Sequence, residues 1–292
     1  MQTTLWPVTR LAERHASAFA RTSKLPGRVV PEDAATTEHE HVQGAVTPTT
    51  RAASVGAQQG KPRCATCPSR GRSVWCTLQG SGLADLERMK SSRTYQTGQS
   101  LFYQGSPSLG VYCIASGTIA VRKTDATGNA IIVRLAHAGD TLGYRAFFAG
   151  DHLQSSADAL EPSQVCFLDK SAVQSLWEHY PLLSQVFLKK LAQDVGQAEN
   201  AQLLAMTLPV RARLAHLLLV LKDRFGQVDD AGELRIQLPL SRQDMAAVMG
   251  TRPETVARAV RSLEEDRIAF FDGRTCRVPD LDALLDALET AG

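Results

Sequence analysis

The stretch LSRQDMAAVMGTRPETVARAVRSLEEDRIAFFDG, residues 240–273, carries the sharpest local pattern in the chain. Ser241, followed three positions later by Asp244, is a capping box: each side chain reaches the other's backbone N–H, which predicts a helix running through Met249. Gly250 supplies a turn. Thr251-Arg252-Pro253-Glu254 then reads as a second capping box, with proline tolerated in the first turn of the helix it opens. Along that second helix Val256, Val260 and Leu263 recur at i, i+4, i+7 as a dry inner stripe, while Glu254, Ala257, Arg258 and Arg261 fall on the opposite face. Two helices about a glycine turn, the second dry inside and charged outside, describe a helix-turn-helix. Phe270-Phe271-Asp272-Gly273-Arg274 adds an Asp-Gly hairpin, the wing.

The outer face of the second helix suits base edges. Arg258 can donate to both O6 and N7 of a guanine and Glu254 can accept from N4 of a cytosine, each good contact being worth about 1–3 kcal/mol of discrimination. Arg252, Thr255, Ala257 and Arg261 complete the candidate DNA-contacting set. The blander reading is that Glu254 only completes the cap and the arginines only solvate the helix.

Upstream, over residues 181–206, Leu188, Leu191, Val195, Ala198, Gln202 and Ala205 repeat at alternating spacings of three and four. A long helix with so narrow an apolar seam wants a partner helix, so Leu188, Leu191, Val195 and Ala198 are the candidate dimer interface. A further helix, Val210–Phe225, closes at Gly226. Between Tyr95 and Leu168 the texture changes to short β-branched runs such as Val111-Tyr112-Cys113-Ile114, punctuated by glycines, which predicts an antiparallel sandwich or barrel. Residues 1–60 show no apolar periodicity and are expected to form a disordered extension, although 1–30, rich in arginine and poor in acids, also has the texture of a transit peptide.

The 292 residues are 43 % hydrophobic, enough for more than one core, and 32 Lys+Arg against 30 Asp+Glu leave a net charge of only +2, so any basic surface must be local. No run approaches the roughly 20 apolar residues that span a bilayer. No secretory pattern opens the chain, so a cytoplasmic location is expected, and with it six cysteines used for metal or redox chemistry rather than as a disulfide framework. No nucleophile–base pair or phosphate loop suggests an enzyme.

Four segments together resemble the CRP/FNR superfamily of transcription regulators, over roughly residues 80–288: Thr97-Gly98-Gln99-Ser100-Leu101-Phe102-Tyr103-Gln104-Gly105, Ile114-Ala115-Ser116-Gly117-Thr118-Ile119, Ala138-Gly139-Asp140 and Arg252-Pro253-Glu254-Thr255-Val256-Ala257-Arg258. The resemblance implies an α+β chain: a cysteine loop at 61–80, a cyclic-nucleotide-binding-like β-roll at 81–175, a dimerisation helix at 176–207 and a winged helix-turn-helix at 208–292. It implies a homodimer that reads a palindromic promoter site in double-stranded DNA and works with RNA polymerase. The cyclic-nucleotide branch holds its phosphate with an arginine. Here the corresponding stretch reads Leu153-Gln154-Ser155-Ser156-Ala157, which lacks that charge-assisted partner and argues against cAMP.

The cysteines point to another effector. Cys64-x2-Cys67-x8-Cys76 places three soft ligands just ahead of the β-roll, and a cluster of four irons needs a fourth. In the oxygen-sensing FNR branch that ligand lies late in the β-roll, where this chain has Cys166; the loop before the third cysteine is longer than the branch usually carries. By resemblance, Cys64, Cys67, Cys76 and Cys166 would hold a 4Fe–4S cluster that senses oxygen or nitric oxide and controls dimerisation. Two alternatives remain open: the same cysteines binding structural zinc, or a thiol–disulfide switch without metal. Cys113, the rival fourth ligand, is read as a small buried hydrophobe, and Cys276 as structural.

Overall fold

The computed structural model describes residues 63–229 and 232–289; the expected extension at 1–60 lies outside them. Three short 3-10 turns, Cys64–Thr66, Arg70–Arg72 and Val74–Thr77, lead into helix α1 (Gly80–Met89). Eight strands follow: β1 (Ser91–Tyr95), β2 (Ser100–Phe102), β3 (Gly110–Ser116), β4 (Thr118–Thr124), β5 (Ala130–His137), β6 (Thr141–Leu142), β7 (Ser156–Ala159) and β8 (Ser163–Asp169). They form two antiparallel sheets, ordered β1-β8-β3-β6 and β2-β7-β4-β5. Alternate residues such as Ile114, Ile119, Val121, Ala157 and Val165 share one buried core in this β-roll. Helix α2 (Tyr144–Ala149) interrupts the roll.

After α3 (Lys170–His179) the chain breaks at Tyr180-Pro181, since proline cannot continue a helix, and restarts as α4 (Leu182–Thr207). Range 176–207 therefore holds the end of one helix and the whole of another. In α4 only Leu183 and Phe187 are buried; Leu188, Val195, Leu203 and Met206 stand 58–76 % exposed. Leu191, expected on the same seam as Leu188 and Val195, instead packs partly against its own domain.

The C-terminal part comprises α5 (Val210–Phe225), β9 (Gly226–Val228), β10 (Leu234–Gln237), α6 (Arg242–Met249), α7 (Pro253–Glu265), β11 (Phe270–Asp272), β12 (Thr275–Val278) and α8 (Leu281–Glu289), with the strands ordered β11-β12-β10-β9. This is the expected α+β architecture of β-roll, long helix and winged helix-turn-helix. Among the described residues no helix is long and apolar enough to cross a membrane.

Candidate cysteine centre and nucleic-acid interface

At the start of α6 the predicted capping box is formed: Asp244 N donates to Ser241 Oγ at 3.1 Å and Ser241 N to Asp244 Oδ2 at 3.0 Å. Gly250 ends α6 at φ 59°, a left-handed conformation that a Cβ would strain, and no neighbour stands within 4 Å. The second box is not formed. Helix α7 has Arg252, not Thr251, at its N-cap and no side-chain cap bond. Pro253 explains this: its fixed φ and missing N–H suit the first helical position, which moves the start one residue on. Glu254 is thereby released from capping and stands exposed in the first turn.

Helix α7 buries Val256, Ala259, Val260 and Leu263, the expected stripe plus Ala259. Arg252, Glu254, Ala257, Arg258 and Arg261 are exposed and Thr255 is half-buried, its hydroxyl 3.2 Å from Arg258 Nη2. In the wing, Cys276 is fully buried, and burial pushes its thiol up to about 12. Arg242 and Arg277 lie over the rings of Phe271 and Phe270, each 4.6 Å from the centroid. The β-roll reaches this domain through Arg122 of β4, which bonds Asp158 at 3.2 Å and the capping carboxylate of Asp244 at 2.7 Å.

The sulfurs gather elsewhere. Cys64, Cys67, Cys113 and Cys166 line one small cavity of about 50 Å³ beneath β3 and β8, together with Arg70, Trp75 and Lys90. Cys76 is partly buried at the end of the Val74–Thr77 turn and is not among the lining residues. Cys113, read from the sequence as a packing residue, faces the cavity: its sulfur accepts from Trp75 Nε1 and lies 3.5 Å from Thr141 Oγ1. The Cys166 sulfur is 3.4 Å from Ser92 Oγ, and that of Cys67 3.1 Å from Ser69 Oγ. Burial pushes the Cys64 thiol up to about 11 and the Cys113 thiol up to about 12.

Lys90 is the partner that sequence reading missed. Its side chain is only 4 % exposed, and its Nζ lies 3.4 Å from Glu87, whose carboxylate also accepts the Cys64 N–H. Burial works against this ammonium, but Cys166, Cys64 and Glu87 outweigh it and hold the group above its usual range. Gly139 closes the cavity wall at φ 100°, where a Cβ would stand 3.0 Å from Arg72 Cβ and 3.2 Å from Ser69 O; a side chain here would push the cysteine loop away. Trp75, 3 % exposed, anchors the same loop on α4 by packing edge-on against Phe187 at 5.5 Å.

Soft sulfurs beside buried positive charge suit a soft metal or a redox role. Among the described residues, no three of Cys, His, Asp or Glu stand close enough as they lie to hold a metal ion. Ligation by the loop cysteines together with Cys166 therefore requires the loop to draw in. The donor chemistry fits an iron–sulfur group, and the Cys64–Cys67 end of the loop, exposed at Arg63, Ala65, Thr66 and Pro68, is less packed than its anchored Val74–Thr77 end.

A second cavity, of about 480 Å³, lies between the β-roll and α4, lined by Lys123, Arg134, Arg145 and Ala198 among others. Its Arg134 is already engaged, with Asp140 at 2.7 Å and Asp194 at 3.0 Å.

Two family descriptions match the chain, a cyclic nucleotide-binding domain over residues 92–180 and a Crp-like helix-turn-helix domain over 212–287. The chain is 28 % identical over 230 residues to the transcriptional activator protein FnrL of Cereibacter sphaeroides, covering 77 % of this chain and 91 % of that protein. It is 27 % identical over 222 residues to the fumarate and nitrate reduction regulatory protein of Escherichia coli K12, covering 76 % and 88 %. Its fold is similar to that of FixK2 from Bradyrhizobium japonicum, with TM-score 0.60 and 22 % identity over 68 % of this chain and 96 % of that one.

Proposed function

We propose, from the premise that the chain belongs to the CRP/FNR superfamily of transcription regulators, that it is a cytoplasmic homodimeric regulator controlled by a 4Fe–4S cluster on Cys64, Cys67, Cys76 and Cys166. Its relatives are regulators, not enzymes, and a Crp-like helix-turn-helix is a DNA-binding module. The observation that supports the proposal best is the cavity where Cys64 and Cys67 of the N-terminal loop meet Cys166 of β8 beside Lys90. Bound there, the cluster would supply an iron–sulfur centre that oxygen or nitric oxide destroys.

The remaining steps belong to the chain's own residues. Lys90 and Arg70 line the cavity, and the charge of Lys90 opposes the burial that raises the Cys64 thiol. A loop drawn toward β8 moves the Val74–Thr77 turn, and Trp75 passes that shift to Phe187 of α4. Leu188, Val195 and Ala198, exposed on α4, would then pack against the partner's helix. Dimerisation sets the two α7 helices about 34 Å apart, one DNA turn, to read a palindromic half-site pair and recruit RNA polymerase. Arg252, Glu254, Thr255, Ala257, Arg258 and Arg261 form the reading face.

The test is anaerobic purification with iron and sulfide analysis, followed by DNA binding before and after air. Near-stoichiometric iron and sulfide, lost together with DNA affinity on aeration and absent from Cys76→Ala and Cys166→Ala, is the expected result. Colourless protein, or DNA binding indifferent to air, overturns the sensing mechanism. A cluster that survives Cys76→Ala and fails in Cys113→Ala overturns the ligand set.

A further inference from the structure

Cys113 has no place in that ligand set, yet it shares the cavity with its members. Its position follows from strand register. β3 and β8 run antiparallel, with Cys113 directly opposite Cys166. Directly opposed residues point to the same face of a sheet, with Cα atoms about 4.5 or 5.5 Å apart and Cβ atoms about 4.5–5.5 Å apart. A disulfide spans Cα separations of about 4.4–6.8 Å, so these two sulfurs can join with little more than side-chain rotation. Both residues also line the same cavity, while their strand neighbours Ile114 and Val165 belong to the core of the roll.

We propose that Cys113 and Cys166 form an oxidation site, at which a hydroperoxide closes a disulfide across β3 and β8. In the first step one sulfur attacks a peroxide oxygen; the O–O bond breaks, and the sulfur becomes a sulfenic acid as water or an alcohol leaves. In the second step the other sulfur attacks that sulfur, the S–S bond forms and water leaves. Two thiols are oxidised by two electrons in all, and one hydroperoxide is reduced. Ala65, Thr66 and Pro68, the loop residues beside the cavity-lining Cys64 and Cys67, are exposed, and the proposed approach of the oxidant is from that side. The other four sulfurs are placed less well for this reaction: Cys64 lies on the loop with its side chain engaged by Lys90, Cys67 is turned to Ser69 Oγ at 3.1 Å, Cys76 lies outside the cavity lining, and Cys276 is buried in the wing.

The disulfide stands on register alone. Its consequence rests on the proposed ligand set: a Cys166 held in a disulfide cannot bind iron until a reductant frees it. Cys113 thereby keeps Cys166 from passing to sulfinic acid, which thiols do not reverse. Full-length protein would be purified anaerobically and assayed for iron and sulfide. It would then be treated with hydrogen peroxide, alkylated and digested without reductant for mass spectrometry. The expected product is a peptide pair linked through Cys113 and Cys166, abolished by dithiothreitol and absent from Cys113→Ser. In that variant, Cys166 should instead carry sulfinic acid, and iron reloading after oxidation and reduction should fall at least several-fold below wild type. Linkage of Cys166 to Cys64 or Cys67, or sulfinic acid on Cys166 in wild type with Cys113 still a free thiol, overturns the proposal. The initial iron and sulfide analysis keeps the two readings apart: iron-free protein that still forms the link sinks the cluster and spares the disulfide.

Discussion

The helix pair α6–α7 and the cavity beneath β3 and β8 are built from different ranges of the chain. Ser241 is capped by a residue three positions away, Gly250 turns the backbone on the spot, and Val256, Val260 and Leu263 share a stripe because a helix repeats every 3.6 residues. The cavity brings Cys64 and Cys67 from a loop, Lys90 from the end of α1, Cys113 from β3 and Cys166 from β8. The reading face is thus a local construction that should survive damage elsewhere, whereas the cysteine centre exists only while the β-roll holds its register.

The largest effect is expected at α4, the element that links the two. Val195→Asp places an unpaired carboxylate on each side of the proposed two-fold seam, where burial costs several kcal/mol per charge. Sedimentation should show monomers and site-specific DNA binding should be lost, with the β-roll intact by circular dichroism; an undiminished dimer would remove the seam from the account. A matched pair of core truncations tests the contrast itself. Trp75→Ala should cost about 3–5 kcal/mol and Leu263→Ala about 2–5 kcal/mol. Hydrogen exchange should rise in the cysteine loop and α4 for the first, and only within the C-terminal domain for the second. Spread of the Leu263 effect into the loop would break the contrast.

Arg258→Ala should lose about 1–3 kcal/mol of preference at one G·C pair per half-site, while Arg252→Ala should weaken all sequences alike. Site selection from random DNA followed by binding at fixed salt measures both. Ser241→Ala should remove about 1 kcal/mol through the lost cap, visible as a lower urea midpoint. Because Asp244 also holds Arg122 of β4, this substitution reports whether the capping box stabilises α6 alone or the contact between β-roll and DNA-binding domain as well.

A pH-dependent effect is expected from His137, whose ring lies 5.8 Å from that of Phe225 in α5. Burial, and then the positive charge of Arg224, lower its pKa to about 4. An unfolded histidine takes up its proton near pH 6.5. The unfolded chain therefore binds more protons between those values: stability is full above about pH 6.5 and declines as pH falls toward 4. Urea midpoints at pH 7 and pH 5 should differ, and His137→Gln should flatten the difference.

The sequence by itself determined what depends on neighbours along the chain: the Ser241–Asp244 cap, the Gly250 turn, the inner stripe of α7, the apolar residues of α4 and the strand texture of the roll. Each rests on hydrogen bonds or side-chain periods that close within a few residues. Even there, proline decided one detail against the pattern, because Pro253 fits the first helical position and displaced the expected Thr251 cap. Tertiary structure alone decided what stands opposite what. Leu191 packs partly against the cluster that holds Phe187 and Trp75, which α4's periodicity cannot encode. No motif or spacing in the sequence marks Lys90 out, and Cys113 reads as a small buried hydrophobe of a strand. Strand register set Cys113 against Cys166, and packing of α1 against the loop brought Lys90 and Cys64 together, because both depend on which distant segments pair rather than on any residue's own preference.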